Sequence, residues 1–217
     1  MNTETENQQV TALDCMAAVT GNGTSASMPP RRKRNRAIRK REYLTADEIE
    51  TLRKHASLRD SAMILLAYRH GLRVSELVAL EWRHVVSLDA EARASIQIER
   101  LKGSISGTHP LEPDEVKLLR RLRKENPDAV YIFPARDGGQ LTAAGFRKQL
   151  SRLAEAAGLG HLHVHPHMLR HSAGQHLVDK MPLGMLADYL GHAQIQNTRI
   201  YSRANGERFR GIWRKHK

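Results

Sequence analysis

Sulfur chemistry has almost no place in this chain. Cys15 is its one cysteine, which excludes an internal disulfide and any zinc site built on a cysteine cluster. It sits in a polar stretch and is given no role. Aromatic residues make up 5% of the sequence, so the core must come from Leu, Ala, Val and Ile on helices. No apolar run approaches membrane-spanning length, and no signal-peptide pattern opens the sequence. The expectation is a cytoplasmic, nucleoid-associated protein with no membrane contact. Acids are also short, 23 against 35 Lys and Arg, which leaves a formal charge of +12. A protein this basic most often meets a polyanion, and nucleic acid is the first candidate.

The charge is unevenly spread. Residues 1–30 hold three acids and no Lys or Arg, and they lack a sustained apolar period. They read as a disordered tail. Residues 31–41 carry eight bases: Arg31, Arg32, Lys33, Arg34, Arg36, Arg39, Lys40 and Arg41. Such a block repels itself. It reads as an arm laid along DNA phosphates, each contact releasing counterions; the plainer alternative is a solvated linker. Of the overall +12, residues 42–217 retain +7, so the excess is not confined to a tail. The 217 residues thus divide into a tail (1–30), a basic arm or linker (31–42) and one domain (43–217).

Order is predicted to begin near Tyr43. Thr45 and Glu48 form a capping box before Ile49 and Leu52. A second helix runs from about Asp60 through Tyr68 and stops at Gly71. Arg73 falls in the turn beyond it, and Ser75 can cap a short helix holding Leu77, Val78 and Leu80. Ser95 to Glu99 alternates like a half-buried strand. Lys102-Gly103 and Gly107 mark turns of a small sheet. The segment after Pro113 is a helix with Val116, Leu119 and Leu122 on one side. Tyr131 to Phe133 is a short apolar run, and Asp137-Gly138-Gly139 turns the chain. Thr142 opens a helix with Phe146, Leu150, Leu153 and Ala157 on one face. Pro182 fits the first turn of a helix through Leu190, closed by Gly191. Asn197 or Thr198 can cap a helix carrying Tyr201. Phe209, Ile212 and Trp213 suggest a short amphipathic basic helix at the end, a candidate contact between protomers. The fold class is mainly α with a small antiparallel β-sheet (α+β).

The stretch from His165 to Leu177 organises the chemistry. If it is helical after Pro166, His167 and Arg170 share one face. An imidazole that moves a proton and a guanidinium that clamps an oxyanion then address one object, and that pairing suits a phosphate. Alone, the pair is a weak signal.

Four motifs in order make it stronger. Gly71-Leu72-Arg73-Val74-Ser75-Glu76-Leu77 resembles the first arginine box of the tyrosine recombinases, the integrase family. His167-Met168-Leu169-Arg170-His171 resembles the second box. Leu190-Gly191-His192, with Tyr201 nine residues after His192, resembles the third histidine and the nucleophile. Lys102 matches the family lysine. Arg100-Leu101-Lys102, Thr108-His109-Pro110-Leu111 and Asp188-Tyr189-Leu190-Gly191-His192 further resemble the short subgroup that inverts fimbrial promoter DNA. That subgroup also lacks a separate helical core-binding domain. The basic, low-complexity N-terminus departs from its pattern.

The resemblance implies the tyrosine recombinase catalytic fold and a division of labour. Tyr201 would attack phosphorus; a phenol with an ordinary pKa near 10 needs a base or nearby cations. Arg73 and Arg170 would clamp the nonbridging oxygens. Lys102 would protonate the leaving 5′ oxygen, His167 would act as general base, and His192 would hydrogen-bond the phosphate. Glu76 and His171 would support the site. No metal, ATP or other cofactor enters. The implied partners are double-stranded DNA with paired inverted-repeat sites, a homotetramer with two protomers per site, and DNA-bending proteins.

Three rivals stand beside this. One is an architectural DNA-binding protein without chemistry. Another is a metal-dependent hydrolase built on His161, His163, His165 and His167, which would share one face of a strand; Pro166 and the nearby glycines favour a loop. A third stays inside the family, with integration, excision or dimer resolution in place of inversion.

Overall fold

The structure, a computed structural model, describes residues 41–100 and 105–201. The tail, the basic arm through Lys40, Lys102 and the segment from Phe209 to Lys217 lie outside the described residues.

Seven helices and three short strands are described: α1 (Ala46–Lys54), α2 (Leu58–Arg69), α3 (Val74–Val78), β1 (Val85–Val86), β2 (Ser95–Ile98), β3 (Gly107–Pro110), α4 (Pro113–Glu125), α5 (Ala143–Ala156), α6 (Pro166–Leu177) and α7 (Leu183–Leu190). The strands form one antiparallel sheet in the order β1-β2-β3, with Ile96 opposite both Val85 and His109. Ile96 and Ile98 face the core while Gln97 is exposed, as the alternation predicts. β1, only two residues long, left no readable period.

The capping box closes as predicted. The Glu48 backbone N–H donates to Thr45 Oγ1 at 3.3 Å, and the Thr45 N–H donates to Glu48 Oε2 at 2.8 Å. Thr142 caps α5 by accepting from the Gly145 N–H at 3.0 Å. Three boundaries differ from expectation. Arg73, not Ser75, stands at the start of α3, because Glu76 reaches back to the Arg73 N–H and fixes the helix there. Pro182 precedes α7 instead of lying in its first turn. Thr198 ends a 3-10 turn (Ile195–Asn197), and Tyr201 follows in a turn.

The core is aliphatic. Met63, Ile64 and Leu66 of α2, Leu119 of α4, Leu150 of α5 and Met168 and Leu169 of α6 are buried together. α6 lies against α2 and α5, so its one face enters this core while another lines the site. Ser172 ties the start of the domain to α6, accepting from the Leu44 N–H at 2.8 Å and donating to Met168 O at 2.7 Å. Gly71 has φ +57°, and a Cβ there would stand 2.4 Å from Leu190 Cδ2. A side chain would be strained and would push α7 away. The α2–α3 turn and the end of α7 therefore meet at Gly71. Among the described residues, no helix is long and apolar enough to cross a membrane.

Candidate active site

The meeting of α2, α6 and α7 at Gly71 brings the arginine boxes together. Arg170 projects from α6 and is 2% exposed. Its NH1 donates to Gly71 O, and its NH2 donates to Leu190 O at 2.7 Å. Both acceptors are backbone carbonyls, Leu190 O at the last residue of α7 and Gly71 O just past the end of α2, where intrahelical partners are missing. Burial and the charges of Arg73 and Arg100 lower its pKa to about 10, so it stays cationic at neutral pH. Arg73 is the more open guanidinium, its side chain 34% exposed. Its NH1 donates to Glu76 Oε1 at 2.6 Å. Burial would raise the Glu76 carboxyl, but the Arg73 N–H and the Arg100 and Arg73 guanidiniums outweigh it, and its pKa lies below the ordinary carboxylate range.

Arg73 opens onto a cavity of about 510 Å³, shared with Ser75, Arg147, His163, His165 and His167. His163 takes a left-handed backbone, φ 49°, which a non-glycine residue seldom adopts without a local reason. The four alternating histidines do not form a strand, although His163, His165 and His167 border the same cavity. His161 lies in a 3-10 turn, His163 ends it, His165 precedes α6 and His167 lies in its first turn. Among the described residues, no group of three or more His, Cys, Asp or Glu is disposed to hold a metal ion.

His167 and His192 are held neutral. Burial, then His171, Arg170 and Arg73, lower His167 to about 4. Burial, then the three arginines, lowers His192 to about 4 as well. His192 Nδ1 lies 2.8 Å from Thr198 Oγ1, which orients the ring and ties the end of α7 to the turn before Tyr201.

Tyr201 is 7% exposed and packs with Ala173, Val178, Leu186 and Leu190. Its ring rests on α6 at Gly174, where a Cβ would come within 2.4 Å of Cζ. Its hydroxyl lies 3.1 Å from His171 Nδ1. Burial raises its pKa and Arg170 partly opposes this, so the phenol is protonated at neutral pH and needs a base. Burial also lowers the His171 pKa, which leaves that imidazole neutral and able to accept. The partner at the hydroxyl is therefore His171, expected from the motifs only to support the site. His167 stands edge-on behind it, ring centroids 4.3 Å apart.

Arg73, Glu76, His167, Arg170, His171, His192 and Tyr201 thus meet around the ends of α2 and α7. Lys102 lies outside the described residues, as do seven of the eight arm residues. Arg41, the eighth, pairs with Glu48 in the first turn of α1 and lies 5.7 Å from the Tyr43 ring centroid. Sequence reasoning missed Arg100 and Gly174. Both carried a signal: Arg100 continues the inward alternation of Ile96 and Ile98, and Gly174 interrupts a helix where a close approach is the usual reason.

A buried arginine, a second that opens onto the cavity, a neutral histidine set and a seated phenol form a site suited to one phosphodiester. Type 1 fimbriae regulatory protein FimE of Escherichia coli strain K12 is 36% identical over 194 residues, 82% of this chain and 93% of FimE. FimB of the same strain is 38% identical over 186 residues, 81% of this chain and 90% of FimB. The XerH site-specific recombinase bound to its difH substrate, in a pre-cleavage complex, is 25% identical with a TM-score of 0.66, over 79% of this chain and 53% of that one. The XerA recombinase shares the fold, with a TM-score of 0.67 at 24% identity over 81% of this chain and 66% of that one. Residues 42–208 match the Phage integrase family, and with the order of the boxes and the fold beside that match, the chain belongs to this family, the tyrosine recombinases.

Proposed function

We propose that the protein is a site-specific DNA recombinase that inverts a segment lying between two inverted-repeat sites. The observation that carries this reading is Arg73 held on Glu76 and Arg170 held on Gly71 O at one turn, with a Tyr201 hydroxyl 3.1 Å from an imidazole.

The chemistry balances without an external energy source. The Tyr201 oxygen bonds to phosphorus and the bond from phosphorus to the 5′ oxygen breaks. The phenol proton passes to an imidazole. The 3.1 Å contact supports His171 as the group that takes it, with His167 behind, where the sequence expectation put the base. Arg73 and Arg170 stabilise the charge that grows on the nonbridging oxygens, and His192 adds a hydrogen bond. Lys102 gives its proton to the leaving 5′ oxygen. The 3′-phosphotyrosine link keeps the energy of the phosphodiester, so a 5′ hydroxyl from the partner duplex reverses the step and seals the exchanged strand. Four protomers, two per site, carry out two such rounds through a Holliday junction, and bending proteins assist where the DNA between sites must be folded. Likeness to FimE and FimB over about nine-tenths of their length supports inversion over integration, excision or resolution.

The test is a supercoiled plasmid carrying two inverted copies of the gene's flanking DNA, incubated with chelator. The expected result is inversion by the wild type and none by Tyr201→Phe. Binding and bending by the wild type, with no recombined product and no cleaved intermediate, would sink the reading in favour of an architectural protein.

A further inference from the structure

Arg100 lies two residues beyond β2 with its side chain only 1% exposed, and the side chain of its partner Glu76 in α3 is equally enclosed. Burying an ion pair costs more desolvation than it commonly returns, so stability by itself is a weak reason for one. The acceptors it uses are more telling. Arg100 NH1 donates to Glu76 Oε2 at 2.7 Å and to Gly71 O at 3.3 Å. Its NH2 donates to His70 O at 3.2 Å and to Tyr189 O at 3.0 Å. Glu76 is the carboxylate that holds Arg73, and Gly71 O is the carbonyl that holds Arg170. Arg100 therefore shares one acceptor with each clamp arginine while binding the end of α7 just before His192. Enclosed as it is, it has no surface to offer DNA.

From this geometry we infer that Arg100 is a positioning residue, a third guanidinium that sets the distance and orientation of Arg73 and Arg170 and thereby tunes the phosphate clamp. The inference rests on the recombinase reading above. A guanidinium suits the task because its planar fork reaches several fixed acceptors at once, whereas an ammonium acts as a point charge. Arg100 also balances the Glu76 charge. Without it, the carboxylate would draw Arg73 more closely onto itself and away from the cavity.

The test is the rate of covalent adduct formation on an oligonucleotide duplex carrying the mapped site, for the wild type, Arg100→Lys and Arg100→Gln. On ordinary DNA both variants should be slowed about tenfold or more, the scale that outer partners of a reactive site carry. Two chemically altered substrates locate the defect. A methylphosphonate at the scissile position removes the negative charge that the clamp serves, so the variants' deficit should shrink toward none. A 5′-phosphorothiolate gives a leaving group that needs no proton, so the deficit should persist in full. A deficit equal on all three substrates would overturn the inference, as would one that shrinks only on the phosphorothiolate. Loss of the cooperative melting transition in both variants would also overturn it, by making Arg100 a residue of the fold. Failure of the wild type to form any adduct would instead count against the recombinase reading itself.

Discussion

The arginines and the tyrosine are held in place by different means. Arg170 is anchored by hydrogen bonds to Gly71 O and Leu190 O, and Arg73 by Glu76. Glu76 and Gly71 lie at the α2–α3 turn, beside helices that enter the main core, while Leu190 O closes α7, which packs in the smaller cluster. Tyr201 is held by a satellite cluster, one hydrogen bond to His171 and the absence of a side chain at Gly174. It follows a 3-10 turn whose first residue, Ile195, is exposed, as is Ile200 just before the tyrosine. The proposed clamp is part of the fold, and the proposed nucleophile is docked on it. That division suits strand exchange. Groups that stabilise charge act best when preorganised, while a covalent nucleophile must approach phosphorus, travel with the cut strand and release it.

Substitutions can break this division in either direction. Tyr201→Phe has the largest expected effect on chemistry, abolishing cleavage, yet it removes only one hydrogen bond. Its melting temperature should stay close to that of the wild type, the loss being about 1 kcal/mol. Arg170→Ala should slow cleavage about 10²–10³-fold. Unlike the tyrosine variant, it should also destabilise the fold, by about 1–3 kcal/mol for each buried carbonyl left without its donor. Kinetics and thermal melting on the same preparations separate the two. An Arg170→Ala protein that melts with the wild type would show that the clamp is not structural.

Gly174→Ala sharpens the comparison further. Alanine in a helix interior normally adds about 0.5–1 kcal/mol, but here its Cβ would overlap the Tyr201 ring. The helix should persist and the phenol should leave its seat. The Tyr201 hydroxyl, read by ultraviolet titration, should move down toward the ordinary value near 10.

Proton binding gives the smallest effect. His167 and His192 have folded pKa values of about 4, set by burial and neighbouring cations, against about 6.5 in an unfolded chain. Between those values the unfolded state binds more protons. Their stabilising contribution is whole above about pH 6.5 and is lost as pH falls toward 4. The melting temperature should drop across that window. A bound DNA phosphate places negative charge beside both rings, raises their pKa values and should flatten the drop. An equally steep drop with DNA bound would place these histidines away from the phosphate.

The sequence made one side of this contrast easier to read than the other. The caps at Thr45 and Thr142, the apolar faces of α4 and α5 and the alternation of β2 are local patterns, and they appear in the structure where the pattern puts them. The boxes around Arg73 and Arg170 were legible as motifs, but what holds them was not. The acceptors Gly71 O and Leu190 O are backbone atoms brought together by packing of α6 and α7, and no residue type announces them. The start of α3 was misplaced because Ser75 looks like a cap while Glu76 performs that task from inside the helix. His171 was overlooked as the hydroxyl's neighbour because His167 carries the motif and helical spacing alone does not say which imidazole meets a ring arriving from the next segment.

The central claim is that Tyr201, docked against this fixed clamp, becomes joined to DNA. The most direct measurement is peptide mapping by mass spectrometry of the protein trapped on its own flanking DNA with chelator present. The account predicts a nucleotide attached through its 3′ phosphate to Tyr201 and to no other residue. A link at another residue, a 5′-phosphate link, or no link despite specific binding would contradict it.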